Sequence, residues 1–353
     1  MQKLFFSCLL LISTQMSFCQ DQPTNIILMI GDGMGLSQIT AGMYANGNTT
    51  HLEAFPFVGL AKTHSVNSLV TDSAASGTAM ACGVKTYNGV VGVSAKNASP
   101  DSVLTLSEEK GYTTGLIATS SIVHATPASF YAHVPSRRQY QDIALQLKES
   151  QLDFFIGGGQ KHFTDREDKR NLLDEMTDWS IVNRLKDFDR ATSEKVGYFT
   201  NDDEPIRISE GRKPKLADGL KSMLNKLTAK ENPFFLMVEG SQIDWGGHAN
   251  DLDYITSEFL DFDQAIGVAL NFAKANGNTL VIVTADHETG GLGISSGNRK
   301  TFMPKGGFVT GGHTASMVPV FAVGVGASSF SGIYENTAIF DKMIAVLPKN
   351  KSY

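Results

Sequence analysis

The sequence predicts an α/β fold, a mostly parallel central sheet flanked by helices. Two observations predict it. Short apolar runs are bounded by polar residues or glycine, and helix-like stretches lie between them.

The runs are Asn25–Ile30, Thr113–Ala118, Asp153–Ile156, Phe234–Val238, Thr279–Thr284 and Val320–Val325. Each has the length and continuous apolarity of a strand buried on both faces, as in the middle of a parallel sheet. Asp101 opens a helix that stops at Gly111, an N-cap-like start and a glycine end. Further helices cover Gln141–Glu149 and Lys215–Lys230. In another, Ile255, Phe259, Phe262, Ile266 and Leu270 recur at three- and four-residue steps, which marks one apolar helix face. The stretch 160–213 is charged and aperiodic and reads as an insertion, while 295–314, rich in Gly, Ser and Lys, reads as a long loop. No repeat or low-complexity tract interrupts the chain, so residues 20–353 read as one decorated domain.

Of the 353 residues, 42% are hydrophobic and 19% charged, the mix of a soluble globular protein with an ample core. A net charge of −6 argues against a nucleic-acid-binding surface, which needs a basic face, but allows a small pocket for an anion. At the N-terminus, Lys3, the apolar run Leu4–Ile12 and a polar stretch from Gln20 read as a signal peptide over residues 1–19. That run is too short to span a bilayer, and export to the periplasm or beyond is the expectation. A lipid anchor at Cys19 is the weaker alternative, because Phe18 is not the small residue processing prefers. Cys8 and Cys19 belong to or border this segment, which leaves Cys82 and no internal disulfide. No second long apolar stretch suggests a transmembrane span.

In open α/β sheets ligands bind outside the carboxyl ends of the strands. Asp32 follows the first run, His124 and Thr126 the second, Glu239 the fourth, and Asp286 and His287 the fifth. Around Asp32, Gly31, Gly33 and Gly35 suggest a nucleotide loop, but Leu36 stands where the third glycine of that motif belongs. An aspartate between glycines instead presents a carboxylate with room for a metal, or makes local hydrogen bonds in a turn. Asp244 and His248 lie one helical turn apart, a spacing that suits zinc and also occurs on solvated helix faces. His313, in Gly311-Gly312-His313-Thr314, is a third nitrogen ligand or a plain loop histidine. Thr71 to Ala79 is a run of small residues resembling a helix start, with Ser73 where free N–H groups and the helix dipole favour an anion. It lacks the G-x-S-x-G frame and a neighbouring histidine base, so Ser73 is either a metal-activated nucleophile or a helix cap.

Five segments appear in order: Asp32-Gly33-Met34-Gly35, Thr71-Asp72-Ser73-Ala74-Ala75-Ser76, His124-Ala125-Thr126-Pro127-Ala128, Glu239-Gly240-Ser241-Gln242-Ile243-Asp244, and Thr284-Ala285-Asp286-His287-Glu288-Thr289-Gly290-Gly291. Together they closely resemble the alkaline phosphatase family, over a span from about Asn25 to Val325 with 160–213 least matched. The resemblance implies that family's sheet with small insertions. It implies hydrolysis of phosphate monoesters through a phosphoserine intermediate, with two zinc ions and one magnesium ion.

Residue by residue, Asp244, His248 and His313 match the ligands of the first zinc. Asp32, Asp286 and His287 match those of the second, which Ser73 faces, and Asp32 bridges to a magnesium held by Thr126 and Glu239. Arg137 matches the phosphate-binding arginine, whose planar fork suits two oxygens; Arg138 is the alternative if the register slips by one. Asp72 flanks the nucleophile. His124 stands where some members carry Asp and Trp245 where some carry Lys, and both bear on the third metal position. Family members are commonly dimers, which implies a homodimer. Sulfatases of the wider superfamily carry Pro and Arg after the nucleophile, and phosphodiesterases a Thr in its place; Ser73-Ala74-Ala75 fits neither. A binding protein without catalysis would have little reason to retain Ser73, Arg137 and every implied ligand.

Overall fold

The structure is a computed structural model and describes residues 24–348. The expected signal peptide, with Cys8 and Cys19, lies outside the described residues. The first eight strands are β1 (Asn25–Gly31), β2 (Phe57–Lys62), β3 (Thr113–Ser121), β4 (Phe154–Gly158), β5 (Trp179–Val182), β6 (Lys195–Phe199), β7 (Phe234–Gly240) and β8 (Thr279–Thr284). They are followed by β9 (Glu288–Thr289), β10 (Gly293–Asn298), β11 (Met303–Gly307), β12 (His313–Thr314), β13 (Val318–Val323) and β14 (Gly332–Glu335).

Ten of these form one sheet in the order β14-β2-β13-β8-β1-β7-β3-β4-β6-β5. Its centre is built from the apolar runs: every residue of β1, β3, β7 and β8 is buried. Such strands have no solvent face to alternate towards, so they carry continuous hydrophobic sequence. The sheet is mostly parallel, as expected, but β13 runs antiparallel to both β8 and β2. The run read as Val320–Val325 within a parallel sheet is therefore corrected in direction and shifted by two residues. An apolar run shows burial, not strand direction, which depends on how the chain returns. The stretch 160–213 supplies β5 and β6, which extend the sheet parallel to β4.

The expected long loop 295–314 is corrected too: it contains β11 and most of β10, an antiparallel pair of exposed residues, and ends at β12 against β9. That hairpin has no buried face, so its sequence lacks the period of two that would reveal it.

Helices cover both faces. Leu252–Asn276 buries Ile255, Phe259, Phe262 and Ile266 along one side and ends at Gly277. The helix Leu36–Ala45 lies so close to it that a Cβ on Gly42 would come 1.9 Å from Phe259 Cδ1. Burying each such phenylalanine contributes about 2–3 kcal/mol. Cys82 is the one cysteine among the described residues, and burial pushes its thiol up to about 12. No helix among the described residues is long and apolar enough to cross a membrane.

Candidate active site

Strand register brings the candidate residues to one level. Ile30 pairs with Glu239 on β7 and with Thr284 on β8, and Ala118 on β3 pairs with Glu239. Asp32, Glu239, Asp286 and His287 therefore leave the sheet side by side, all fully buried. The Asp286 carboxylate is held by two backbone donors, Gly33 N at 3.1 Å and His287 N at 2.9 Å. Gly33 has φ +71°, and a Cβ there would sit 2.7 Å from Asp244 Cα and 2.8 Å from Thr289 Oγ1. Only glycine lets the Asp32 turn lie this close to the neighbouring helix and to β9.

Three histidines turn their Nε2 atoms toward these carboxylates. His248 Nδ1 bonds Gly311 O and His313 Nδ1 bonds Thr71 O, both at 2.8 Å. A carbonyl only accepts, so each Nδ1 carries a proton, and in the neutral ring each Nε2 keeps its lone pair. The bond to Asp244 and that carboxylate's charge push His248 up to about 9, so a cation must displace its Nε2 proton. Thr289 Oγ1 donates to Asp244 Oδ1 at 2.5 Å and lies 3.2 Å from His287 Nδ1, which must then donate to it. His287 is thereby set in the same tautomer. His248 Nε2 is 3.3 Å from Asp244 Oδ2, and His313 Nε2 is 3.6 Å from Asp244 Oδ1. His287 Nε2 is 3.2 Å from Asp286 Oδ2 and 3.5 Å from Asp32 Oδ1. The His287 and His313 rings stack at 3.6 Å.

Ser73 opens a fully buried ten-residue helix, Ser73–Cys82. Asp72 caps it, accepting from Ala75 N and from Gly89 N, each at 3.0 Å. The small side chains of Ala74, Ala75, Ser76 and Gly77 let this helix sink into the molecule, where Ser76 Oγ donates to Asp286 O at 2.7 Å. Ser73 Oγ stands 3.2 Å from His287 Nε2. Arg137 reaches the same place from the chain after His133, its Nη1 3.2 Å from Asp72 Oδ2 and its Nη2 3.4 Å from His124 Nε2. Arg138 is exposed, with its backbone N–H bonded to Ser136 Oγ. Trp245 meets the His124 ring edge-on at 6.3 Å.

The alkaline phosphatase family model matches residues 23–306. The chain belongs to the alkaline phosphatase family. It is 34% identical to alkaline phosphatase 3 of Bacillus subtilis, covering 94% of this chain and 90% of that relative. Among solved structures it is similar to the alkaline phosphatase of the Antarctic bacterium TAB5, at 45% identity, 92% and 98% coverage and a TM-score of 0.88. A histidine-to-glutamate variant of the TAB5 enzyme, with Mg bound in its M3 site, is 42% identical over 93% of this chain and 99% of that one, with a TM-score of 0.87.

The site of this family member is overloaded with acid. Burial, joined by the charges of Asp286, Asp244 and Glu239, pushes the Asp32 carboxyl well above the usual range. Burial likewise lifts Glu239 to about 8 and Asp286 to about 6. His287 is driven well below its ordinary value by burial and by His313. Both Asp32 oxygens, Glu239 Oε1, Asp286 Oδ2, Thr126 Oγ1 and His124 Nδ1 are buried without a hydrogen-bond partner. Acids packed this way are costly unless cations sit among them.

Three residue groups offer ligand atoms within 4.8 Å of one another: Asp244 with His248 and His313, Asp32 with Asp244 and His287, and Asp32 with His124 and Glu239. Nitrogen-and-carboxylate sets suit zinc, and through His124 the third group is one as well; the oxygen donors beside it, Asp32, Glu239 and the unpartnered Thr126 Oγ1, suit magnesium. The residues fit the metals the family implies. The site also opens to one side, for the His248 side chain is 42% exposed while Asp32 and His287 are at 0%.

Sequence reasoning missed three supporting residues. Thr289 links Asp244 to His287, as described. Glu288, buried, accepts from Gln38 Nε2 at 2.6 Å and from Gly291 N and Leu292 N, each at 3.2 Å, which fixes the loop after His287. Gln38 also donates to Thr289 O at 2.7 Å. Gln38 is the third residue of the helix Leu36–Ala45 and is buried there, which nothing in its sequence neighbourhood announces.

Proposed function

We propose that the chain hydrolyses phosphate monoesters to an alcohol and inorganic phosphate through a phosphoserine intermediate on Ser73. One observation carries this reading: Ser73 Oγ, at the first turn of a buried helix, lies 3.2 Å from His287 Nε2 with Arg137 tethered to the adjacent Asp72. In the proposal Asp244, His248 and His313 hold one zinc ion and Asp32, Asp286 and His287 a second. Asp32, Thr126 and Glu239 hold magnesium, with His124 and Trp245 flanking it. Bound there, the ions supply Lewis-acid stabilisation of negative charge and lower the pKa of a neighbouring hydroxyl. A histidine-to-glutamate variant of the TAB5 enzyme holds Mg in its M3 site, which supports magnesium as an ion that a related protein so altered can bind.

The chain's own residues do the rest. Ser73 Oγ gives up its proton to solvent and attacks phosphorus in line; the bond from phosphorus to the alcohol oxygen breaks, and that oxygen keeps the electron pair and takes a proton from solvent. Arg137 grips two non-bridging oxygens with its planar fork, and the free N–H groups of the Ser73 helix add positive potential. Asp72 fixes the plane of that fork. Burial and the Arg137 charge push His124 down to about 3, so it stays neutral and accepts from Arg137. Water then attacks phospho-Ser73 at phosphorus, the Ser73 oxygen takes back its electron pair, and phosphate departs. The leaving alcohol has room on the His248 side, which is open to solvent.

The test compares Ser73→Ala with wild type, both loaded with zinc and magnesium and checked by metal analysis, on p-nitrophenyl phosphate, its bis-ester and its sulfate. Wild type should prefer the monoester, and the variant should lose about 10³-fold or more of that rate. Undiminished turnover in the loaded variant removes Ser73 as nucleophile, and preference for the bis-ester or sulfate removes the substrate class. Export remains part of the proposal on the strength of Lys3 and the run Leu4–Ile12.

A further inference from the structure

The hydrogen bond that closes the end of β3 comes from outside the catalytic motifs. β3 slips its register with β4 between Ile117 and Ser121. The Ser121 N–H freed by that slip donates to the Glu204 carboxylate at 2.6 Å. Glu204 lies in the 200–206 loop, within the stretch that reads as an insertion. The loop is anchored on both sides of the site. Asp203 O accepts from Gly159 N at 3.0 Å, and Pro205 O accepts at 2.8 Å from Gln242 Nε2, the first residue of the helix that carries Asp244 and His248.

Ser121 has much hanging on it. Its neighbour Ser120 places Oγ 3.4 Å from Glu239 Oε2. Ser121 O accepts from His124 N at 3.0 Å, which starts the short helix bearing Thr126. His124 and Thr126 thus take their place from the exit of β3, beside Glu239 on β7, and the Glu204 bond holds that exit together with Ile122 N, which donates to Gly158 O at 3.0 Å.

We propose that Glu204 is a positioning residue for the Asp32–Thr126–Glu239 cation position, acting through the Ser121 N–H. The inference rests on reading that position as a magnesium site. A carboxylate accepting from a backbone N–H forms a short and strong bond, here in place of a missing ladder partner. Supporting partners of this kind typically set metal affinity by about 10–100-fold. Glu204 also adds negative charge near Glu239, and the experiment must separate that effect from placement.

The experiment titrates zinc-loaded protein with Mg2+ by calorimetry, with zinc content measured alongside. Glu204→Gln keeps an acceptor at the same reach without the charge, and should bind Mg2+ within about twofold of wild type. Glu204→Asp keeps the charge but falls a methylene short, and Glu204→Ala keeps neither. Both should weaken Mg2+ by about tenfold with zinc content unchanged. Wild-type affinity in the Asp and Ala variants overturns the proposal, and so does a Gln variant as weak as Ala. Circular dichroism checks folding, and if Ala fails to fold the Asp and Gln pair decides. Glu239→Gln is the control: if it too binds Mg2+ normally, the magnesium reading has failed rather than the role of Glu204.

Discussion

Thr289 Oγ1 lies 2.5 Å from Asp244 Oδ1, across 45 residues of sequence, and the same oxygen receives the Nδ1 proton of His287 at 3.2 Å. One hydroxyl thereby orients a candidate ligand of each proposed zinc. Thr289→Val keeps the shape and removes the hydroxyl. We expect zinc content after dialysis, and activity with it, to fall by about 10–100-fold at limiting zinc. Excess zinc should restore much of the rate. Full zinc retention in the variant would show that the hydroxyl is incidental.

Asp72 does two jobs that substitution can separate. It caps the Ser73 helix through Ala75 N and anchors Arg137 through its other oxygen. Asn caps nearly as well as Asp but carries no charge. Asp72→Asn keeps the cap but gives up the bond from Gly89 N along with that from Arg137, so it should lose less thermal stability than Asp72→Ala while raising KM and weakening inhibition by phosphate, each by about tenfold. Asp72→Ala should lose the same affinity and a further ~1 kcal/mol of stability. Equal KM values for Asn and wild type would mean that Arg137 holds its place without Asp72.

The centre of the sheet was legible because its strands are buried on both faces, so Ile26–Ile30 or Leu280–Val283 can hardly be anything else. The edges were not. β5 is four residues long and β14 is half exposed, and their pairing depends on partners far along the chain. The candidate ligands were legible because acids and histidines at strand ends are unusual in type and place together. Their supports were not: Thr289, Gln38 and Glu204 are ordinary residues in sequence, and only folding places each beside its partner. Asp244 and His248 illustrate the boundary, since their spacing fits many helices and only the approach of His313 and His287 distinguishes this one.

Away from the site, Glu108 predicts a pH dependence of stability. Burial pushes its carboxyl up to about 7, against a bond from Thr114 Oγ1 at 3.0 Å and with the Asp153 charge adding to the rise. An unfolded glutamate titrates near ~4.3. Between those values the folded state holds a proton that the unfolded state has lost, so this group lowers stability as pH rises from about 4.3 to 7. Glu108→Gln keeps an acceptor for Thr114 and has nothing to ionise. It should be more stable than wild type at pH 8 by on the order of 1–2 kcal/mol and indistinguishable at pH 4, as read from denaturant midpoints. A gain of equal size at both pH values would point to packing instead of charge.

The metals should also hold the fold together, and Asp32 is where that shows most. Its carboxylate is fully buried, faces Asp286, Asp244 and Glu239, and has no hydrogen-bond partner on either oxygen. With cations in place the arrangement is favourable; with them stripped, the acids must either repel one another or take up protons against their ordinary preference, and either way the fold loses stability. Chelation should therefore lower the thermal midpoint of wild type sharply. Asp32→Asn should reverse the ranking, less stable than wild type when both are metal-loaded but more stable when both are chelated, because an amide relieves the repulsion it can no longer help to neutralise. Calorimetric scans of the two proteins with and without a chelator give four midpoints. If Asp32→Asn is the less stable protein in both conditions, the carboxylate is needed for packing or hydrogen bonding, and charge repulsion is not what destabilises the metal-free fold.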